Sequence, residues 1–103
     1  MRAMAWNNGQ HRSSGAGYGI KFSLADRDRF FRPEWEAVRL DIPGEGITSI
    51  PVSRSFWRRC SELRSAAVGR WLRRTGEAPW PKGEPPSLNV EHVEGSLFRL
   101  RSE

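Results

Sequence analysis

The sequence predicts an α+β domain. We expect an antiparallel sheet of about five strands, in the order β-β-β-α-β-β, with one long amphipathic helix packed on one face. Three observations predict it. Residues 53–76 (SRSFWRRCSELRSAAVGRWLRRTG) carry the longest helical period in the chain. Short stretches on either side alternate apolar and polar residues, as half-buried strands do. Glycine and proline clusters separate these stretches.

In chain order, residues 1–17 (MRAMAWNNGQHRSSGAG) are polar and rich in Gly, Ser and Asn, and read as a mobile N-terminal segment. Ala5 and Trp6 offer at most a short strand or anchor. His11 reads as solvated. Gly15, Gly17 and Gly19 repeat as Gly-x-Gly-x-Gly, but a strand follows them rather than precedes them, which argues against a dinucleotide fingerprint. That first full strand is marked by Tyr18, Ile20, Phe22 and Leu24 at alternate positions.

The next residues, ADRDRFFRPE, pair Asp26 and Asp28 with Arg27 and Arg29. Read as extended, they form a solvated charge ladder. Two carboxylates are too few oxygens for a hard metal ion. Phe30 and Phe31 turn inward, and Pro33 stops any helix there. From Trp35 to Ile42 the alternation returns. Val38, Leu40 and Ile42 take one face, and Trp35, Ala37, Arg39 and Asp41 the other. Pro43–Gly46 is a turn, and Ile47–Val52 a third strand.

The helix follows. At about 100° per residue, Phe56, Cys60, Leu63, Ala67 and Trp71 share a narrow arc. Trp57, Val68 and Leu72 widen it to an apolar face. Arg58, Arg59, Arg70 and Arg73 occupy the opposite arc. Ser53 or Ser55 caps the start, and Gly76 ends the helix. Gly69 weakens the helix by about 1 kcal/mol relative to Ala, unless it marks a close approach to a strand. Seven arginines against one glutamate give this segment +6, where the whole chain carries +5.

Residues 76–87 (GEAPWPKGEPPS) are a proline-rich loop with Trp80 between two prolines. Trp80 either pins the loop to the core edge or stands on a binding rim. Leu88–Val93, a turn at Glu94-Gly95, and Ser96–Arg101 read as a terminal hairpin. The sheet face left bare would carry Trp35, Ala37, Arg39 and Leu97, which invites a homodimer.

Composition narrows the classes. A chain of 103 residues is one domain, residues 1–103. No apolar run reaches membrane-spanning length and no signal-peptide core follows Met1, so we expect a cytoplasmic protein without a membrane partner. Cys60 has no second cysteine to pair with, and its arc predicts burial. No cofactor signature is present, so none is expected, and no histidine–cysteine spacing suits a metal. Basic residues are 15 Arg and 2 Lys. The guanidinium fork suits phosphate, although a GC-rich coding sequence also favours arginine.

The stretches WNNG, GYGIKF, DRDRFF, SFWRRCSELR, VGRWL and APWPKGEPP together resemble uncharacterised small bacterial proteins of the kind carried on mobile elements, including integron gene cassettes. The resemblance implies a short α+β protein and brings no catalytic residues with it.

Three functions fit these residues. The first is a small basic module that contacts nucleic acid or another polyanion non-specifically, through Arg58, Arg59, Arg70 and Arg73, with Trp80 stacking on an unpaired base. The second is a protein-interaction or homo-oligomerising module, using the bare sheet face and the Pro-Trp-Pro loop. The third is a small-ligand binder or enzyme drawing on Asp26, Asp28, Glu34, Glu36, His11 and His92. No nucleophile–base pair is visible in the spacing.

Overall fold

A computed structural model describes residues 1–101. The elements are β1 (Arg2–Asn7), β2 (Tyr18–Lys21), α1 (Leu24–Phe30), β3 (Ala37–Ile42), β4 (Gly46–Pro51), α2 (Arg54–Arg58), β5 (Glu62–Arg64), α3 (Ala66–Arg74), β6 (Ser87–Glu94) and β7 (Leu97–Arg101). The class is α+β. The sheet is mixed and seven-stranded, in the order β4-β3-β7-β6-β1-β2-β5. Every pairing is antiparallel except β3 with β7, which is parallel. The edge strands β4 and β5 come back into contact, so the sheet curls almost into a barrel.

One side-chain parity of each strand fills the barrel. Val38 faces Ile50, Leu40 faces Phe98, Val90 faces Leu100, Ala3 faces Leu88, and Ile20 lies between Ala5 and Leu63. All of these are buried. A sheet curled this far has one interior, so the packing of this parity supplies most of the hydrophobic stabilisation. Helix α3 adds Val68, Trp71 and Leu72 to the same core. Phe31 joins Phe22, Phe56 and Phe98 with ring centroids 4.7–5.0 Å apart.

The long helix expected over residues 53–76 does not form. It is replaced by α2, β5 and α3. The reason lies in β2, whose second edge would otherwise leave backbone groups unpaired. Glu62, Leu63 and Arg64 pair with Lys21, Ile20 and Gly19 and satisfy them. The Phe22 amide donates to the Ser61 carbonyl at 3.0 Å, and the Ser61 hydroxyl donates to the Phe22 carbonyl. Phe56, Leu63 and Trp71 are buried as the helical arc required, but from three separate elements. Cys60, expected in the core, falls in the turn after α2 and is exposed. Residue Ser65 then caps α3, its hydroxyl accepting from the Val68 amide at 3.4 Å.

Three further expectations change. The N-terminal segment contains β1, a central strand lying between β6 and β2. Its loop packs through Gly15 onto Gly69 of α3, where a Cβ on Gly69 would lie 2.2 Å from the Gly15 carbonyl oxygen. Gly69 therefore marks a close approach, to this loop rather than to a strand. The residues read as an extended charge ladder form α1, capped by Ser23, whose hydroxyl accepts from the Asp26 amide at 3.1 Å. Trp35 does not join Ala37, Arg39 and Leu97 on an outer face. It precedes β3 and packs on Phe31 and Phe98. Trp35 is thereby taken off that outer face and packs, partly buried, against the core.

The strands at 37–42 and 46–51 and the terminal hairpin form close to where their alternation put them. Among the described residues, no helix is long and apolar enough to cross a membrane.

Candidate functional site

The four arginines expected on one helix face lie on two elements. Arg58 ends α2 and Arg59 caps it, whereas Arg70 and Arg73 belong to α3. Strand β5 stands between the two helices in the chain.

Arg70 is engaged within the fold. Its Nε donates to Glu45 Oε1 at 2.9 Å. From one turn further along, Arg74 Nη1 donates to Glu45 Oε2 at 2.9 Å and Nη2 to the Pro43 carbonyl at 2.7 Å. The two guanidinium groups thus clamp α3 to the β3–β4 turn. Hydrogen bonds from Arg74 and then Arg70 hold the Glu45 carboxyl below the usual glutamate range. No local pattern announces this clamp, because Glu45 lies 25 residues from Arg70.

Arg54, Arg58 and Arg59 are different. Their side chains are exposed and have neither an ion pair nor a hydrogen bond among the described residues. No acid occurs between Ser53 and Ser61. Arg73 is half-buried and likewise unpaired among the described residues. The neighbouring Arg27 is consumed structurally. It is buried, donates from Nη1 to the Phe56 carbonyl at 3.2 Å, pairs with Asp28 at 3.0 Å, and lies over the Trp57 ring at 5.2 Å.

Trp80 belongs to a separate groove. The proline-rich loop is tied at both ends. The Glu77 and Ala78 amides donate to the Leu72 carbonyl at 2.9 and 3.0 Å, and the Ala5 amide donates to the Pro86 carbonyl at 2.9 Å. Between these ties Trp80 is half-buried, its ring 5.7 Å from that of buried Tyr18. Trp80 pins the loop to the core edge, and its ring also lines an open groove of about 740 Å³. The opposite wall is the outer face of β1 and β2, with Trp6 and Lys21. Lys82 lies on the loop side. Among the described residues, no aspartate or glutamate lines this groove.

Gly19 lies beside Trp6 in the sheet. It pairs with Trp6 on β1 and with Arg64 on β5. Having no side chain, it lets the Arg64 guanidinium reach over the Trp6 ring, 4.9 Å from its centroid. Glu62 pairs with the same guanidinium at 3.8 Å. At the far end, His11 Nδ1 and the Tyr18 hydroxyl share a hydrogen bond of 3.0 Å. Asn7 Oδ1 accepts from the Gly9 amide at 2.9 Å, which leaves the Asn7 amide nitrogen as a donor.

Trp6, Lys21, Lys82, Arg64 and Asn7 went unnoticed as site residues in the sequence. A signal for Trp6 was present, since Ala3 and Ala5 alternate with Arg2, Met4 and Trp6 at period two. For Arg64 there was none, because its strand was hidden in an apparent helix.

The acids and histidines considered for catalysis disperse. Asp26 and Asp28 sit on α1, and Glu34 and Glu36 are exposed between α1 and β3. Asp28 and His92 line a common cavity of about 380 Å³, whose lining offers no hydroxyl or thiol side chain. His92 Nε2 shares a 2.8 Å hydrogen bond with the Gly95 carbonyl. Among the described residues, no three His, Cys, Asp or Glu side chains gather where they could hold a metal ion. No protein-family model, no curated protein and no solved structure matches this chain, so its own residues are the ground for a functional reading.

Proposed function

We propose that this chain is a small basic module that binds nucleic acid or another polyanion through phosphate contacts, without reading sequence. One observation carries the reading. Arg54, Arg58 and Arg59 stand exposed within six residues and are not neutralised by any acid among the described residues. Unpaired guanidinium groups of this kind contact phosphate oxygens in pairs. The short side chains beside them, Ser53 and Ser55, share a hydrogen bond of 2.8 Å with each other and extend little toward a base edge. Arg70 leaves the binding set, because Glu45 holds it. Arg73 is an accessory contact. A cytoplasmic location suits a ligand of this class.

The test is a fluorescence-anisotropy titration with mixed-sequence DNA and RNA across a range of salt. Binding should weaken linearly on a log–log plot, with a slope of about −0.9 per phosphate neutralised on duplex DNA. The double substitution Arg58→Glu, Arg59→Glu should abolish duplex binding while leaving the melting temperature unchanged. Duplex binding that persists in the double variant would show that these arginines are not the contact.

A further inference from the structure

The groove between the proline-rich loop and the outer face of β1–β2 offers more than charge. Two of the chain's five tryptophans, Trp6 and Trp80, line it, and so do both of its lysines, Lys21 and Lys82. Its volume, about 740 Å³, falls within the roughly 300–1,000 Å³ of small-molecule sites. Its two lysines, with no carboxylate among the described residues that line it, make it complementary to an anion. Aromatic faces with interspersed cations match one chemistry in particular, a flat ring joined to a phosphate. The remaining polar groups are the Asn7 amide nitrogen and His11 Nε2, since the Tyr18 hydroxyl uses Nδ1.

Building on polyanion binding by this chain, we propose that the groove is a subsite for unpaired nucleobases of a single strand. One base stacks on Trp80. A neighbouring base stacks against the Trp6–Arg64 pair. Lys21 and Lys82 hold the phosphate that joins them. Duplex nucleic acid cannot use this site, because its bases are stacked on one another and their faces are unavailable. The strand that fits is therefore single and short in its contact, one or two nucleotides, and it can come from RNA or from DNA.

The loop is suited to this task. Its ends are fixed to Leu72 and to Ala5, so Trp80 is presented on a closed span rather than on a free strand. The ring rests on Tyr18, which is itself fully buried and bonded to His11. A stacking platform held in this way loses little conformational entropy when a base arrives.

The experiment titrates the intact chain with labelled oligothymidylate and oligouridylate, with a duplex of equal length, and with inorganic polyphosphate as a base-free polyanion. The variants are Trp80→Ala, Trp80→Phe, Lys82→Gln and the pair Arg58→Glu, Arg59→Glu. We expect single strands to bind more tightly than duplex or polyphosphate. Trp80→Ala should weaken single-strand binding about 5- to 150-fold, the range for one lost stacked base. The same variant should leave polyphosphate binding unchanged. Trp80→Phe keeps an aromatic face and should bind within a few-fold of the parent, which separates stacking from any effect of Ala on the Tyr18 contact. Lys82→Gln, at an exposed position, should weaken single strands without affecting stability. Equal affinity for single strand, duplex and polyphosphate, with Trp80→Ala silent, would overturn the subsite and leave polyanion binding standing. Absence of binding to every probe would overturn both. Tighter binding of oligouridylate or oligothymidylate than of the duplex supports the subsite, and the tighter of the two says which strand supplies the base.

Discussion

Replacing Gly69 by alanine sets two physical effects against each other, and the structure fixes which one wins. In a helix interior, Gly→Ala is ordinarily favourable by about 1 kcal/mol, because alanine loses less backbone entropy. Gly69 lies in α3, so propensity alone predicts a gain. At this position, however, a Cβ would lie 2.2 Å from the Gly15 carbonyl oxygen, 2.6 Å from its Cα and 2.7 Å from its carbonyl carbon. Comfortable carbon contacts begin at about 3.5 Å, so the shortfall is about 1 Å against backbone that cannot rotate away. Overpacking of this kind belongs at the upper end of its usual range, about 3 kcal/mol. The net expectation is a loss of about 2 kcal/mol, or a melting temperature lower by about 10 °C for a domain of this size. Thermal denaturation followed by circular dichroism measures it. Hydrogen exchange should show the amides of residues 8–17 losing protection first, because the loop is what must move. A melting temperature that is unchanged or raised would refute the reasoning, since the loop would then not rest on α3.

Other expected outcomes are checked in the same protein. Glu45 is held below the usual glutamate range by Arg74 and Arg70, so its stabilising contribution is complete above that range and is lost as pH falls through the lowered value. Melting temperature should therefore drop in acid, as pH falls below the ordinary glutamate range, by more in the parent than in Glu45→Gln; parallel curves would mean that the clamp adds nothing. Arg70→Glu should destabilise the fold by setting two carboxylates together, whereas Arg58→Glu should not, and equal melting temperatures for the two variants would contradict this division of the arginines. Phe56→Ala, at a fully buried ring, should cost about 3–5 kcal/mol in urea denaturation, and a loss below about 1 kcal/mol would place that ring outside the core. Trp57 has a buried indole N–H with no acceptor among the described residues. Trp57→Phe removes it and should unfold no more easily than the parent; a loss beyond about 1 kcal/mol would mean that the packing of the larger ring, including its contact with Arg27, outweighs the unsatisfied N–H.

The sequence by itself determined what is local. Alternation located the strands at 37–42 and 46–51 and the terminal hairpin, because a half-buried strand must alternate. The helical arc put Phe56, Leu63, Val68, Trp71 and Leu72 in the core, and they are buried, although from three elements rather than one helix. The Ser-Leu-Ala-Asp sequence at 23–26 also carried the start of α1, as a serine followed three residues later by an acid often does, although the charge alternation beyond it read as extended. Only the tertiary structure decided that residues 62–64 are a strand. Three residues have no decisive period of their own, and the unpaired edge of β2, more than forty positions earlier in the chain, supplies the reason they extend. That one decision divides the apparent basic helix. It sends Arg64 across Gly19 onto Trp6, places Arg70 and Arg74 within reach of Glu45, and leaves Arg54, Arg58 and Arg59 unpaired among the described residues. A charge on a chain is legible from composition, but whether it is spent inside the fold depends on which distant residue the fold brings beside it.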